Sequence, residues 1–343
     1  MEFDKKYTLD LLKEIMSVDS PSGYCKNVMK VIEREAKSLG YSFYTTPKGN
    51  GIFEVPGKDP SKTIGVCAHV DTLGCMVRSI KANGRLAFTR IGGPIPPTLD
   101  SENCRVRTRD GRVYNGTFFS ISPAGHVYED AKTLVRDETT MEVILDEVVH
   151  SKEDVEKLGI MNGDYICIDP KTIITDSGFI KSRFLDDKMS VAIIFGALKY
   201  MKDHNMVPNY NLKVMMSTYE EVGHGMAYIP EDIHELLAID MGCIGKDLSC
   251  SEYNVSICAK DSAGPYDYDM TTKLINLAKE ANLSYAVDIY PYYSSDASAA
   301  LRGGMNIKAA LIGSGIFASH GYERTHYQGV EASMNLLVLY LTK

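Results

Sequence analysis

Six acidic residues and two histidines stand where apolar runs stop. TIGVCA is followed by His69 and Asp71, and FIKSRFL by Asp186 and Asp187. LKVMMSTY is followed by Glu220 and Glu221, LLAI by Asp240, and AALIGSGIFAS by His320. Imidazole with carboxylate and no thiolate suits Zn, Co or Mn rather than a structural zinc site. Each cluster alone has a plain explanation. An HxD triplet arises by chance, and Asp-Asp before a helix caps it and meets its dipole. A Glu-Glu pair is commonly a solvated face, and Asp240 before Met-Gly serves a turn. Together they need counter-charge, and Lys188 is the one basic residue immediately beside any of them. Divalent cations would supply it.

The count matches two metals about 3.5–4 Å apart, bridged by one carboxylate. His69 and His320 would each give a nitrogen to a different metal. Asp71 lies two residues from His69, on the same strand face, where it can orient the ring. Adjacent side chains at Glu220 and Glu221 point different ways, so one can ligate while the other stays free as a general base. A free base beside a metal-activated water fits hydrolysis. The residues by themselves leave Asp186 against Asp187, and Glu220 against Glu221, undecided.

Elements must bring these residues together. Residues 7–17 put Leu9, Leu12 and Met16 on one helical stripe. SPSGYCKNVMKVIEREAKSLG carries helix start and stop signals. YSFYTTPKGNGIFEVPG reads as two strands around a turn at Lys48–Gly51, and SKTIGVCAHVD as a strand buried on both faces. From about 73 to 175, short alternating segments are broken by Gly, Pro and Asn, which predicts a β-rich insert such as a small barrel. Beyond it, helix and strand alternate to the end. The expected fold is α/β: a mostly parallel sheet sandwiched by helices, formed by 1–72 and 176–343, with an inserted small β-barrel at 73–175. Ligands of such sheets bind beyond the carboxyl ends of the strands, where all five runs would then deliver their polar residues.

Composition excludes other classes. The 343 residues are 44% hydrophobic and 24% charged, as in ordinary globular proteins. The net charge of -8, from 37 basic and 45 acidic residues, argues against nucleic acid as a partner. No apolar run reaches the ~20 residues that cross a bilayer, so no membrane partner is expected. MEFDKKYTLDLLKEI lacks a signal-peptide pattern, which predicts a cytoplasmic protein. The eight cysteines have no CxxC spacing and read as buried free thiols of a reducing compartment. Neither GxxxxGK[ST] nor GxGxxG occurs.

The motifs also resemble a known family. AHVDTLGCMV, SRFLDDKMSVAI, STYEEVGHG, LLAIDMG and SHGYERTH are similar, in order and spacing, to the metal motifs of the cytoplasmic dinuclear metallo-aminopeptidases. These include the glutamyl, deblocking and tetrahedral (TET) aminopeptidases. RIGGPIPPTLDSENCRVRTRDGRVYNG and LDEVVHSKEDVEKLGIMNGD resemble the family's small β domain. The resemblance implies that His69, Asp186 and Asp240 hold one metal, and that Asp186, Glu221 and His320 hold the other. It implies Glu220 as general base, Asp71 as the residue orienting His69, and Asp187 as support for the bridge, often across a cis Asp-Asp peptide. The implied cofactors are two divalent ions, zinc first, with cobalt or manganese fitting the same donors. The implied function is removal of N-terminal residues from peptides, with metal-bound hydroxide as nucleophile. The implied assembly is a homo-oligomer, a dodecamer with its active sites facing an inner cavity. The insert would then serve oligomerisation and substrate access.

Departures from the family pattern are visible. Thr72 and Leu73 replace the usual Glu-Ile after HxD, and Lys188-Met189-Ser190 follows the Asp pair. His224 stands at a usually apolar position, and Gly321-Tyr322-Glu323 follows His320. They mark a divergent subgroup and bear on substrate preference rather than on the ligands. His224 and His326 read as surface or supporting histidines. Asp296 reads as a helix cap or as a contact for a peptide's α-amine. Tyr290, Tyr292 and Tyr293 line a pocket or pack on the sheet. Two rivals remain: a deacylase or glycan hydrolase on the same scaffold, and a non-catalytic subunit of an active paralogue. Glycosidic cleavage uses paired carboxylates without metal, so the two histidines argue against it.

Overall fold

The apolar run after Lys62 is buried from Thr63 to His69 and ends an eleven-residue strand, Asp59–His69. A computed structural model of the chain describes residues 1–343. Two compact units result: Met1–Asp71 with Lys171–Lys343, and Thr72–Pro170. The first begins with α1 (Lys5–Ser17), α2 (Lys26–Ser38), β1 (Phe43–Thr45), β2 (Gly51–Val55) and β3 (Asp59–His69).

The second unit holds β4 (Gly74–Ile80), β5 (Leu86–Ile91), β6 (Asn103–Arg107), β7 (Val113–Ser120), β8 (Met141–Leu145), α3 (Lys152–Lys157) and β9 (Tyr165–Ile168). Its strands close into a barrel in the order β4-β5-β8-β7-β6-β9. Alternating residues such as Val77, Phe88, Val106, Phe118 and Val143 are buried, as the period of two requires. Phe88 and Phe118 meet edge to face at 5.1 Å.

The first unit resumes with β10 (Ile173–Ile174), β11 (Phe179–Ser182), α4 (Leu185–Asp203), β12 (Tyr210–Ser217), β13 (Ile233–Ile239) and β14 (Gly242–Cys243). It continues through β15 (Val255–Asp261), β16 (Gly264–Pro265), α5 (Tyr268–Glu280), β17 (Tyr285–Ile289), α6 (Asp296–Arg302), β18 (Lys308–Ile316), β19 (Glu323–His326) and α7 (Tyr327–Thr342). Its ten-stranded sheet runs β1-β2-β12-β3-β13-β18-β15-β16, with β14 beside β18 and β17 beside β15. The centre, β12-β3-β13-β18, is parallel, and β2 and β15 flank it antiparallel. Near-continuous apolar sequence in β3, β13 and β18 follows from burial on both faces. Helix α4 packs on β3 and β13, and α7 on β18 and β15. No helix is long and apolar enough to cross a membrane.

One expectation is corrected. Only four of the five polar-ended runs belong to the main sheet. The run before Asp186 forms β11, which pairs antiparallel with β10 and β19 in a separate three-stranded sheet. Asp186 and Asp187 therefore enter from the start of α4, after Phe184 in the left-handed region at φ 66°. A run of four residues cannot declare its partners, because pairing is a long-range property. The register sets Ser182 opposite Glu323. Gly313 of β18 is required by close approach: a Cβ there would lie 1.5 Å from the Asp240 carbonyl oxygen.

Candidate metal centre

At the carboxyl end of β3, the His69 ring is almost fully buried, at 1% exposure. Its Nδ1 lies 2.9 Å from the main-chain oxygen of Asp71. Its Nε2 lies 3.1 Å from Asp186 Oδ1 and 3.6 Å from Glu220 Oε2. Asp71 thus meets the ring chiefly through its carbonyl; its carboxylate lies 3.5 Å from Nδ1. That carboxylate accepts from the amides of Glu220 (3.1 Å) and Glu221 (3.3 Å) and from Ser22 Oγ (2.5 Å). Asp71 therefore fixes the short helical turn Glu220–Val222 that presents both glutamates.

The Asp186–Asp187 peptide is cis. Asp187 Oδ2 accepts from the His69 amide at 3.2 Å. Asp240 follows β13, and its Oδ1 accepts from the Met241 amide. His320, also left-handed at φ 64°, brings Nε2 to 3.6 Å from Asp186 Oδ2 and 3.5 Å from Glu221 Oε2. Every residue singled out as a ligand or base thus lies in one cluster. Ligand atoms of His69, Asp186 and Glu221 fall within 4.8 Å of one another, and so do those of His69, Asp187 and Asp240.

The electrostatics of this cluster test its fit to cations. Burial, and then the charge of Asp186, push Asp240 up to about 8. Burial raises Glu220, Glu221 and Asp187 well above the carboxyl range, and neighbouring acids add to the effect. Asp186 is held low: burial opposes its charge, but His69 and His320 outweigh burial. The reverse competition, burial against the surrounding carboxylates, leaves His69 well above its ordinary value. The Nζ of Lys188 donates to the carbonyls of Ile15 and Val18, both at 2.8 Å. Asp187 Oδ1 and Glu221 Oε1 are buried without a hydrogen-bond partner. Buried, uncompensated oxygens facing two imidazoles match divalent cations, which repay the desolvation of charge that burial imposes.

The other singled-out residues separate cleanly. His326 caps α7 through Nδ1, and its Nε2 lies 2.8 Å from the Ser177 carbonyl oxygen, so its role is structural. His224 is exposed and stacks on Tyr219 at 5.0 Å. Asp296 is buried, accepts from the Met226 amide at 2.8 Å and from Ser217 Oγ, and secures the loop after Glu221. The tyrosines divide as well: Tyr290 is in the core, Tyr292 is 98% exposed, and Tyr293 reaches the acidic cluster.

Two supporting residues were not singled out from sequence. Glu323 is buried and accepts from the amides of Asp186 (3.1 Å) and His320 (3.0 Å). It clamps residues far apart in sequence, and its one signal was its place three residues after His320. Ser22 has no signal beyond its position in a helix-start segment.

The family model described as M42 glutamyl aminopeptidase matches residues 49–336. YhfE of Bacillus subtilis (strain 168), a protein carrying an aminopeptidase name, is 43% identical over 335 residues, 97% of each chain. A TET aminopeptidase structure from the marine sediment archaeon Thaumarchaeota archaeon SCGC AB-539-E09 superposes with a TM-score of 0.88 at 19% identity. It covers 98% of this chain and 97% of that one. The Pyrococcus horikoshii TET1 peptidase, which can assemble into a tetrahedron or a large octahedral shell, gives 0.84 at 21% identity. There the coverage is 98% of this chain and 99% of that one. The two structures share the fold, whereas the family match and YhfE reach to kinship. The chain belongs to the M42 glutamyl aminopeptidase family and is a peptide hydrolase.

Proposed function

We propose that the chain is a two-metal aminopeptidase that removes N-terminal residues from peptides. The observation that carries this reading is the buried group of carboxylates around two imidazoles with oxygens left unpaired. His69, Asp186 and Asp240 would hold one ion, and Asp186, Glu221 and His320 the other, with Asp186 shared. When bound, divalent ions polarise the scissile carbonyl and lower the pKa of water. Zinc is our first choice, and cobalt and manganese suit the same donors.

The protein's own groups do the rest. Glu220, with 14% of its side chain exposed, is close to His69 but outside the proposed ligand sets. As general base it takes a proton from the attacking water and delivers it to the leaving amine. Asp71 holds its backbone in place, and the His69 ring is oriented by the Asp71 carbonyl. Glu323 keeps Asp186 and His320 in mutual register.

The catalytic region is the unit Met1–Asp71 with Lys171–Lys343, and the insert, Thr72–Pro170, serves assembly and substrate access. The assembly we propose is a dodecamer, in line with the tetrahedral shell of the TET1 neighbour. A cytoplasmic location agrees with eight free cysteines. The deciding experiment is a panel of aminoacyl chromogenic substrates, run on apo enzyme reloaded with Zn, Co or Mn. Activity with at least one metal, abolished by chelation, is expected. No turnover with any metal on any substrate contradicts the reading, and turnover that survives chelation favours a metal-free hydrolase.

A further inference from the structure

A pocket of about 420 Å³ opens beside the Glu220–Val222 turn, within the α/β unit. One wall is α2, where Lys26, Lys30 and Glu33 recur at the spacing of one helical face. The facing wall is the turn between β1 and β2, which brings in Lys48. Tyr219 and Gly23 line the pocket as well. Both tie it to the metal centre. Tyr219 directly precedes Glu220 in the chain. Gly23 follows Ser22, whose Oγ donates to the Asp71 carboxylate that also holds the Glu220 amide. The pocket therefore starts at the proposed general base and follows α2 from there.

Its charge is opposite to that of the centre. No carboxylate pairs with Lys26 or Lys30, and Lys30 Nζ reaches the neutral Asn27 Oδ1 at 3.4 Å. Lys48 Nζ donates to the carbonyls of His224 and Gly225 and lies 5.6 Å from the centroid of the Tyr219 ring. Every partner of these three lysines is neutral. The one acid of the lining, Glu33, is engaged by Lys37 at 2.6 Å. In a chain of net charge -8, three cations without an acid around one pocket give a local field that draws an anion.

Cleavage of a peptide's N-terminal residue supplies that anion on this side. Glu220 delivers its proton to the leaving amine, so the leaving peptide begins at Glu220. From Lys26 to Glu33 the helix rises about 10 Å. An extended chain covers that length with about three residues. A leaving segment of that size carries its terminal carboxylate, or an acidic side chain, among the lysines.

We propose that this pocket binds the leaving part of the peptide, and that Lys26, Lys30 and Lys48 recognise a carboxylate on it. The carboxylate is the C-terminus of a short peptide or an acidic side chain within about three residues of the cut. This rests on the peptidase reading above.

The test uses the full chain, metal-loaded, and three peptides that share the best N-terminal residue (X) of the chromogenic panel. They are X-Ala-Ala with a free carboxylate, X-Ala-Ala amide and X-Ala-Glu amide. Lys26 and Lys30 are exposed, so Lys26→Gln/Lys30→Gln and the reversal Lys26→Glu/Lys30→Glu spare the core. Lys13→Gln, at an exposed position of α1, is the control. Wild type is expected to favour a carboxylate over the plain amide by about 3–10-fold in kcat/KM, chiefly through KM. The neutral double variant should bring that ratio near one and the reversed one below it. Added salt should shrink the wild-type ratio, and Lys13→Gln should keep it. A gain with either carboxylate supports the site, and the larger gain identifies the source. Equal kcat/KM for acid and amide peptides in wild type overturns the proposal, and so does a ratio that survives the charge reversal. A change confined to selectivity for acidic N-terminal residues also overturns it, because the pocket would then receive the other side of the cut. An inactive wild type sinks the peptidase reading instead, so the two failures are distinct.

Discussion

Glu142 in the barrel and Glu220 in the α/β unit are both acids shielded from water, yet they are treated in opposite ways. Glu142, 3% exposed, accepts from Lys81 Nζ at 2.8 Å and from Arg85. Burial opposes its charge, but the two cations outweigh burial and hold its carboxyl below the ordinary range. Glu220 sits among Asp71, Asp186, Asp240 and Asp296, with His69 as its close partner, and burial drives its carboxyl far upward. A structural acid brings its counter-charge within the chain. The acids around His69 have two imidazoles as their close counter-charges, and the cations we propose would supply the rest.

The strongest way to break this comparison is to neutralise Glu220. Glu220→Gln is expected to lower kcat by about 10²–10⁴-fold, the contribution typical of a positioned general base. Metal content, measured by elemental analysis, should remain that of wild type. A variant that loads metal and keeps full activity would remove Glu220 from the mechanism.

Chelation probes the external counter-charge directly. Ion binding to the folded state alone stabilises it by about 2.7 kcal/mol at 100 times Kd. Calorimetry of loaded and chelated protein should therefore show a clear drop in Tm on metal removal. The sign with pH follows from Asp240, raised from 3.8 to about 8. Between those values the folded metal-free protein holds a proton that the unfolded chain has lost, so its stability falls as pH rises. Metal binding displaces that proton, so the Tm gap between loaded and chelated protein should widen from acid toward pH 8. A gap independent of pH would contradict the assignment of these carboxyls.

Glu323→Gln leaves one carbonyl acceptor where the carboxylate serves two amides. Supporting groups of this kind are worth about 10–100-fold in metal affinity, so competition with a chelating dye should show a loss in that range. The smallest effect belongs to the barrel. Glu142→Gln strips the partner from Lys81 and Arg85, which are 34% and 39% exposed and can turn to water. The expected cost is about 1 kcal/mol in urea unfolding, with metal stoichiometry unchanged. A larger loss would mean that the barrel acid is not the self-sufficient case it is taken to be.

Much of the centre was legible in sequence because strands announce themselves. His69 and Asp240 follow apolar runs that only a doubly buried strand tolerates. Asp186 and Asp187 were legible as a pair but not in their setting, because β11 pairs outside the main sheet. The role of Asp71 was half visible. Its closeness to His69 followed from spacing, whereas its carboxylate is spent on the amides of Glu220 and Glu221. Glu323 gave almost no signal, since it is defined by the Asp186 and His320 amides that lie opposite it.

The sequence by itself determined the donor types, their order and the strands and helices that carry them. These are local properties, set by side-chain chemistry and by periods of two and 3.6 residues. Only the tertiary structure decided which oxygen faces which nitrogen, and that Lys188 Nζ donates to the carbonyls of Ile15 and Val18. The reason is physical. The state of a buried carboxylate or phenol depends on charges and dipoles within a few ångströms, and those neighbours arrive from strands distant in the chain.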